Sequence, residues 1–116
     1  MSQSSSGIQV NLTTTDGTAV VVVAGEIDMH TSPRLRTLLL EHAGKLTGPL
    51  LVDLSAVGHM DSSGVGTLVF IKREIERSGR RMVLIGLQPR VRGVFEITNL
   101  DRFFTIARNV AEAVGA

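Results

Sequence analysis

The stretch LLVDLSAVGHMDSSGVGTLVFIKREI, residues 50–75, changes its period partway along. Leu50-Leu51-Val52-Asp53-Leu54 is a short, almost wholly apolar run, the pattern of a buried strand. From Val65 onward, Val65, Leu68, Val69 and Ile75 recur at helical spacing. The stem of Lys72 fits the same face, with its charge in water. Asp61-Ser62-Ser63-Gly64 stands at the changeover. An acidic residue and serines ahead of a helix are N-cap chemistry, because their oxygens accept from the orphan N–H groups of the first turn. A serine held there also sits at the positive end of the helix dipole, where an added phosphate is favoured. The two roles are compatible in one residue.

Upstream, Ile8-Gln9-Val10-Asn11-Leu12 alternates apolar and polar, as a half-buried strand does. Asp16-Gly17 is a hairpin signal, and Thr18 to Ala24 is rich in β-branched residues on both sides, so both faces are expected to be covered. Gly25-Glu26-Ile27-Asp28 reads as a polar turn. Ser32-Pro33 predicts a helix start, with Ser32 as N-cap and Pro33 at the first helical position. Leu35, Leu38, Leu39, Ala43 and Leu46 share one helical face, with His42 on the same stripe. Gly48-Pro49 breaks it.

Downstream, Ser78-Gly79 ends the second helix and Met82 to Ile85 is a strand. Gln88-Pro89 opens a helix carrying Val91, Val94, Phe95 and Ile97, and Asn99 can end it. Phe103 to Ile106 is a short extended piece and Arg108 to Val114 a last helix. Strands alternating with helices need crossovers, hence a largely parallel sheet. The expectation is one α/β domain with a mixed sheet of four or five strands, an antiparallel N-terminal hairpin and about four helices. Residues 1–7 are expected to be a flexible tail and 8–116 the domain.

Composition narrows the function. A chain of 116 residues defaults to one domain. The 12 Lys and Arg nearly balance 11 Asp and Glu, which argues against direct nucleic-acid binding. Arg73, Arg77, Arg80 and Arg81 then read as a solvated helix face and exit. With four Phe and no Trp or Tyr, there are few platforms for stacking bases. There is no Cys, which favours an intracellular, cytoplasmic location. MSQSSSG has no apolar core for a signal peptide, and no apolar run reaches the roughly 20 residues a membrane helix needs.

Spacing excludes several catalytic motifs. Gly58 and Gly64 are not followed by the Lys of a P-loop, and Gly64-Val65-Gly66 reaches Val69 where a dinucleotide fold needs its third Gly. Neither serine has the flanking glycines of a nucleophile elbow. His59, Asp61 and Ser62 are too close in sequence for a triad, and His30, His42 and His59 lack metal-ligand spacing. No catalytic residue, metal or cofactor is expected.

Three segments together are more specific. VAGEIDMHTSPRLRTLL, LLVDLSAVGHMDSSGVGTLV and GLQPRVRGVFEITNLDRFF resemble, in order, segments of the bacterial anti-sigma-factor antagonists, single-domain members of the STAS superfamily. Asp61-Ser62-Ser63-Gly64-Val65-Gly66 is similar to the family's Asp-Ser-Ser/Thr-Gly-Leu-Gly signature, with Val65 in place of Leu. The resemblance implies a binding switch rather than an enzyme. Its unphosphorylated form binds an anti-sigma factor that is also a serine kinase, and so frees the sigma factor. The kinase phosphorylates the serine after the Asp, here Ser62, and a serine phosphatase reverses it. Partner contacts are then expected from Glu26, Asp28, Asp61 and Ser63, from an apolar patch of Met60 and Val65, and from Gly64 and Gly66 as points of close approach. The chain is expected to act as a monomer, without membrane or nucleic-acid partners. The alternative is a STAS scaffold or nucleotide-binding sensor in a stress-signalling complex.

Overall fold

Asp16 and Gly17 both take positive φ, 51° and 78°, the left-handed pair that a two-residue hairpin turn requires. They join β1 (Ile8–Thr15) to β2 (Thr18–Ile27) in antiparallel register from Ile8↔Gly25 to Thr15↔Thr18. The computed structural model describes residues 7–115. The tail expected over residues 1–7 lies, except for Gly7, outside the described residues.

After the hairpin the chain alternates: α1 (Ser32–Gly44), β3 (Leu50–Met60), α2 (Ser62–Arg77), β4 (Met82–Ile85), α3 (Pro89–Ile97), β5 (Thr105–Ala107) and α4 (Val110–Val114). The sheet order is β1-β2-β3-β4-β5, and β2 through β5 run parallel. The crossover helices α1, α2 and α3 cover one face. There Leu35, Leu39, Leu68, Ile71, Val91 and Phe95 bury against Val21, Val23, Val52 and Leu84. On the other face Val20, Leu51, Val83 and Ile85 pack with Ala107 and with Ala113 of α4. β2 is thus covered on both sides, as its unbroken apolar run predicted.

Several boundaries differ from expectation. β3 does not stop at Leu54 but runs to Met60, and β2 does not turn at Gly25 but runs to Ile27. Register shifts at Val22/Ala24 and Gly25/Glu26 interrupt the two-residue alternation there, so the strand period was hidden. α1 begins at Ser32, one residue earlier than expected, with Thr31 in the cap position. Thr31 makes no cap bond because its hydroxyl is occupied: it donates to the Glu26 carbonyl at 2.9 Å and accepts from the Asp28 N–H at 3.0 Å. β5 is Thr105–Ala107, and α4 starts at Val110 behind the Asn109 cap. Asn99 does end α3, at φ 60°, with the Leu100 N–H returning to the Phe95 carbonyl at 2.8 Å.

Two groups of cations differ too. The Lys72 ammonium does not lie free in water; it pairs with Glu76 and sits 4.5 Å above the Phe103 ring. Arg73 and Arg77 are exposed, but Arg80 and Arg81 turn inward. Arg80 Nε donates to the Gly48 carbonyl at 2.6 Å and Nη1 to Ala43 at 2.9 Å. It thereby ties the end of α1 to the segment leading into β3.

Candidate functional site

The strand-to-helix junctions at Ile27 and Met60 lie side by side. β2 and β3 are parallel, with Glu26↔His59 and Ile27↔Met60 as the last register partners, so both chains leave the sheet at one edge. The Asp61 N–H donates to the Ile27 carbonyl at 3.1 Å, which carries the pairing one residue further. Only Asp61 separates β3 from α2.

Asp61 is the N-cap of α2. Its backbone is extended, and Oδ1 accepts the Ser63 N–H at 2.9 Å, the Gly64 N–H at 3.4 Å and the Ser63 hydroxyl at 2.5 Å. The Ser63 hydroxyl does most to hold the Asp61 carboxyl below the usual carboxylate range. The two N–H groups and the nearby His59 add to this, against a partial desolvation that pushes it up. Asp28 does the same work on the neighbouring turn. Its Oδ1 accepts the N–H of His30 at 2.8 Å and of Thr31 at 3.1 Å, and these bonds hold its carboxyl low. The two turns touch through hydroxyls: Ser32 Oγ lies 3.2 Å from Ser63 Oγ.

The adjacent serines of α2 differ in circumstance. Ser62 is exposed, and no described residue engages its hydroxyl. Ser63 is half-buried, with its hydroxyl held by Asp61 and against Ser32. A group added to Ser62 would sit at the N-terminus of a 16-residue helix, where the dipole favours negative charge.

Of the residues expected around Ser62, Glu26 and Gly66 are exposed, and Asp28, Asp61 and Ser63 are partly so. Three are not on the surface. Met60 and Val65 are each 1% exposed and belong to the core, so the apolar patch expected from them is absent. Gly64 is also buried, and a Cβ there would meet Ile27 Cγ2 at 2.6 Å and Met60 Cγ at 2.7 Å. Its bareness admits the core beneath α2 rather than a partner above it. The apolar surface at this edge is instead Met29, 70% exposed between Asp28 and His30. Met29, Thr31 and Ser32 were missed. An apolar side chain stranded in the polar run Glu26 to Thr31 was the available signal for Met29; the Ser32–Ser63 contact spans 31 residues and has no local signature.

Among the described residues no group of three or more His, Asp or Glu is placed to hold a metal, and no helix is long and apolar enough to cross a membrane. A separate cavity of about 390 Å³ opens by the hairpin tip and α4. Its lining includes Asp16, Asp53, Ser55, Arg108 and Asn109 and holds no aromatic ring.

Comparison with known proteins adds three findings. The family model described as STAS domain matches residues 9–113. The anti-sigma-B factor antagonist of Listeria monocytogenes is 35% identical over 95 residues, covering 82% of this chain and 83% of that protein. Among solved structures, an anti-sigma factor antagonist from Mycobacterium paratuberculosis superposes with a TM-score of 0.81 at 27% identity, over 96% of this chain and 94% of that one. SpoIIAA, solved in unphosphorylated and phosphorylated forms, superposes at 0.72 and 0.64, with 27% and 26% identity. These cover 91% and 92% of this chain, and 93% and 97% of those chains.

Proposed function

The chain belongs to the STAS domain family, among the anti-sigma factor antagonists, and on that premise we propose that it is a phosphorylation-controlled binding switch with Ser62 as the acceptor. The unphosphorylated protein binds an anti-sigma factor and releases the sigma factor that it restrains. The anti-sigma factor is also the serine kinase, a serine phosphatase resets the switch, and the exchange takes place in the cytoplasm. The protein carries no chemistry of its own; a partner performs it on Ser62.

One observation carries the choice of residue: of two adjacent serines, only Ser62 is exposed with a hydroxyl that no described residue engages. The docking surface we assign runs across the shared edge, from Glu26, Met29 and His30 to His59, Ser62 and Gly66, all exposed. Asp28, Asp61 and Ser63 shape it from just beneath. Phosphorylation adds about −1.5 to −2 charge at neutral pH. Within the chain the α2 dipole accommodates that charge. Against a partner already facing Glu26, Asp28 and Asp61, it adds repulsion and a desolvation cost. A loss of about 3 kcal/mol lowers affinity roughly a hundredfold. Release follows from surface charge, without refolding.

Incubating the protein with candidate anti-sigma kinases and ATP, then mapping the phosphate by mass spectrometry, tests this. Label is expected on Ser62. Label on Ser63, or on neither serine with any of the kinases, overturns it. The alternative, a nucleotide-sensing module, draws little support from the cavity by α4, whose lining includes two carboxylates and no ring to stack a base. ATP or GTP titrated into the free protein separates the two.

A further inference from the structure

Each serine hydroxyl has one proton to give. Ser63 Oγ lies 2.5 Å from Asp61 Oδ1 and donates to it, since an ionised carboxylate only accepts. The lone pairs of Ser63 are then left to accept. Ser32 Oγ lies within reach of two acceptors, the Asp28 carbonyl at 2.7 Å and Ser63 Oγ at 3.2 Å. That carbonyl already receives the backbone N–H of Ser32 at 2.9 Å and of Thr31 at 3.2 Å. The Ser32 hydroxyl donates chiefly to that carbonyl and shares its proton with Ser63 Oγ in a three-centre bond, which completes a one-way chain, Ser32 to Ser63 to Asp61. Such a chain ends on a charge, and each bond strengthens the next. Ser32 is only 6% exposed, and Ser63 and Asp61 are half-buried.

The chain joins elements that are distant in sequence. At one end is the Asp28–Thr31 turn, which holds Met29 and His30 out to solvent. At the other is the first turn of α2, which presents Ser62. We infer that Ser32 and Ser63 are positioning residues that lock the β2–α1 turn to the start of α2, so that Met29, His30 and Ser62 meet a partner as one preset surface. The role toward a partner rests on the function proposed above, whereas the lock is a property of the free protein. A surface fixed beforehand spares the partner the ordering cost of binding.

The test compares Ser32→Ala, Ser63→Ala and Ser63→Thr with the parent protein. In the free protein, ¹⁵N relaxation is expected to show order parameters of the Met29 and His30 amides falling from a rigid value of about 0.85 toward 0.6 in both alanine variants. Ser63→Thr, which keeps the hydroxyl, is expected to restore them. With the kinase that labels Ser62, each alanine variant is expected to raise KM about fivefold at unchanged kcat. The double variant is expected to lose no more than Ser32→Ala alone, which removes the bond to the Asp28 carbonyl as well as the link to Ser63. Additive losses, or no rescue by threonine, would overturn the lock, and so would parental order parameters in both alanine variants. If no kinase labels Ser62, the phosphorylation proposal fails while the relaxation measurements still decide the lock.

Discussion

Gly64 and Gly66 stand two residues apart on α2 and meet different surroundings. A methyl group at Gly64 would press on Ile27 and Met60, whereas one at Gly66 meets nothing within 4 Å. Gly64→Ala is expected to lower stability by about 1–3 kcal/mol, as overpacking does. Gly66→Ala is expected to be neutral or to raise it by up to about 1 kcal/mol, because alanine is the better helix former. Urea unfolding of the two variants checks the contrast; equal effects would mean that Gly64 is not a packing residue. Sequence showed that these glycines mattered but not which way each faced. Met60 and Val65 were misplaced for the same reason: an apolar residue beside serines looks like surface until the long-range packing of α2 on β3 is known. The Asp-Ser-Ser-Gly junction itself was legible, because cap chemistry is local.

At the level of elements, Asp61 fixes where α2 begins. Asp61→Ala removes the cap and is expected to cost about 1 kcal/mol, with Asp61→Asn retaining part of it. The folded carboxyls of Asp61 and Asp28 both lie below their ordinary value. Their contribution to stability is therefore full above about pH 4 and is lost as pH falls further, through the folded pKa values. Unfolding midpoints measured from pH 6 to pH 2 are expected to decline less steeply in Asp61→Asn than in the parent; identical slopes would refute the cap's ionic part. Arg80 secures another junction. Arg80→Ala is expected to destabilise by about 1.5–3 kcal/mol by removing charged bonds to the Gly48 and Ala43 carbonyls. Arg80→Lys is expected to rescue little, because a single ammonium cannot reproduce the fork; full rescue in thermal melts would contradict this. Helix starts and the hairpin were readable from Ser32-Pro33, Gln88-Pro89 and Asp16-Gly17. The full length of β3 was not, since register shifts against β2 erased its alternation.

For the whole molecule, the order of strands and helices was enough to imply a largely parallel sheet with crossovers, and the sheet order follows the chain order. The meeting of two loop edges, already implied by the contacts expected from Glu26 and Asp28 beside the Ser62 turn, depends on parallel pairing of β2 with β3. That meeting places Asp28 and Asp61 on one rim and lets a charge on Ser62 act on a surface built from two segments. The switch then needs no change of fold. Ser62→Asp is expected to leave the circular dichroism spectrum unchanged and stability within about 0.5 kcal/mol of the parent, as exposed substitutions do. The deciding measurement is calorimetric titration of the anti-sigma kinase with three forms of the protein: unmodified, phosphorylated at Ser62, and Ser62→Ala. Unmodified protein and Ser62→Ala are predicted to bind alike, and the phosphorylated form roughly a hundredfold more weakly. Equal affinity for the phosphorylated and unmodified forms would contradict a switch at Ser62.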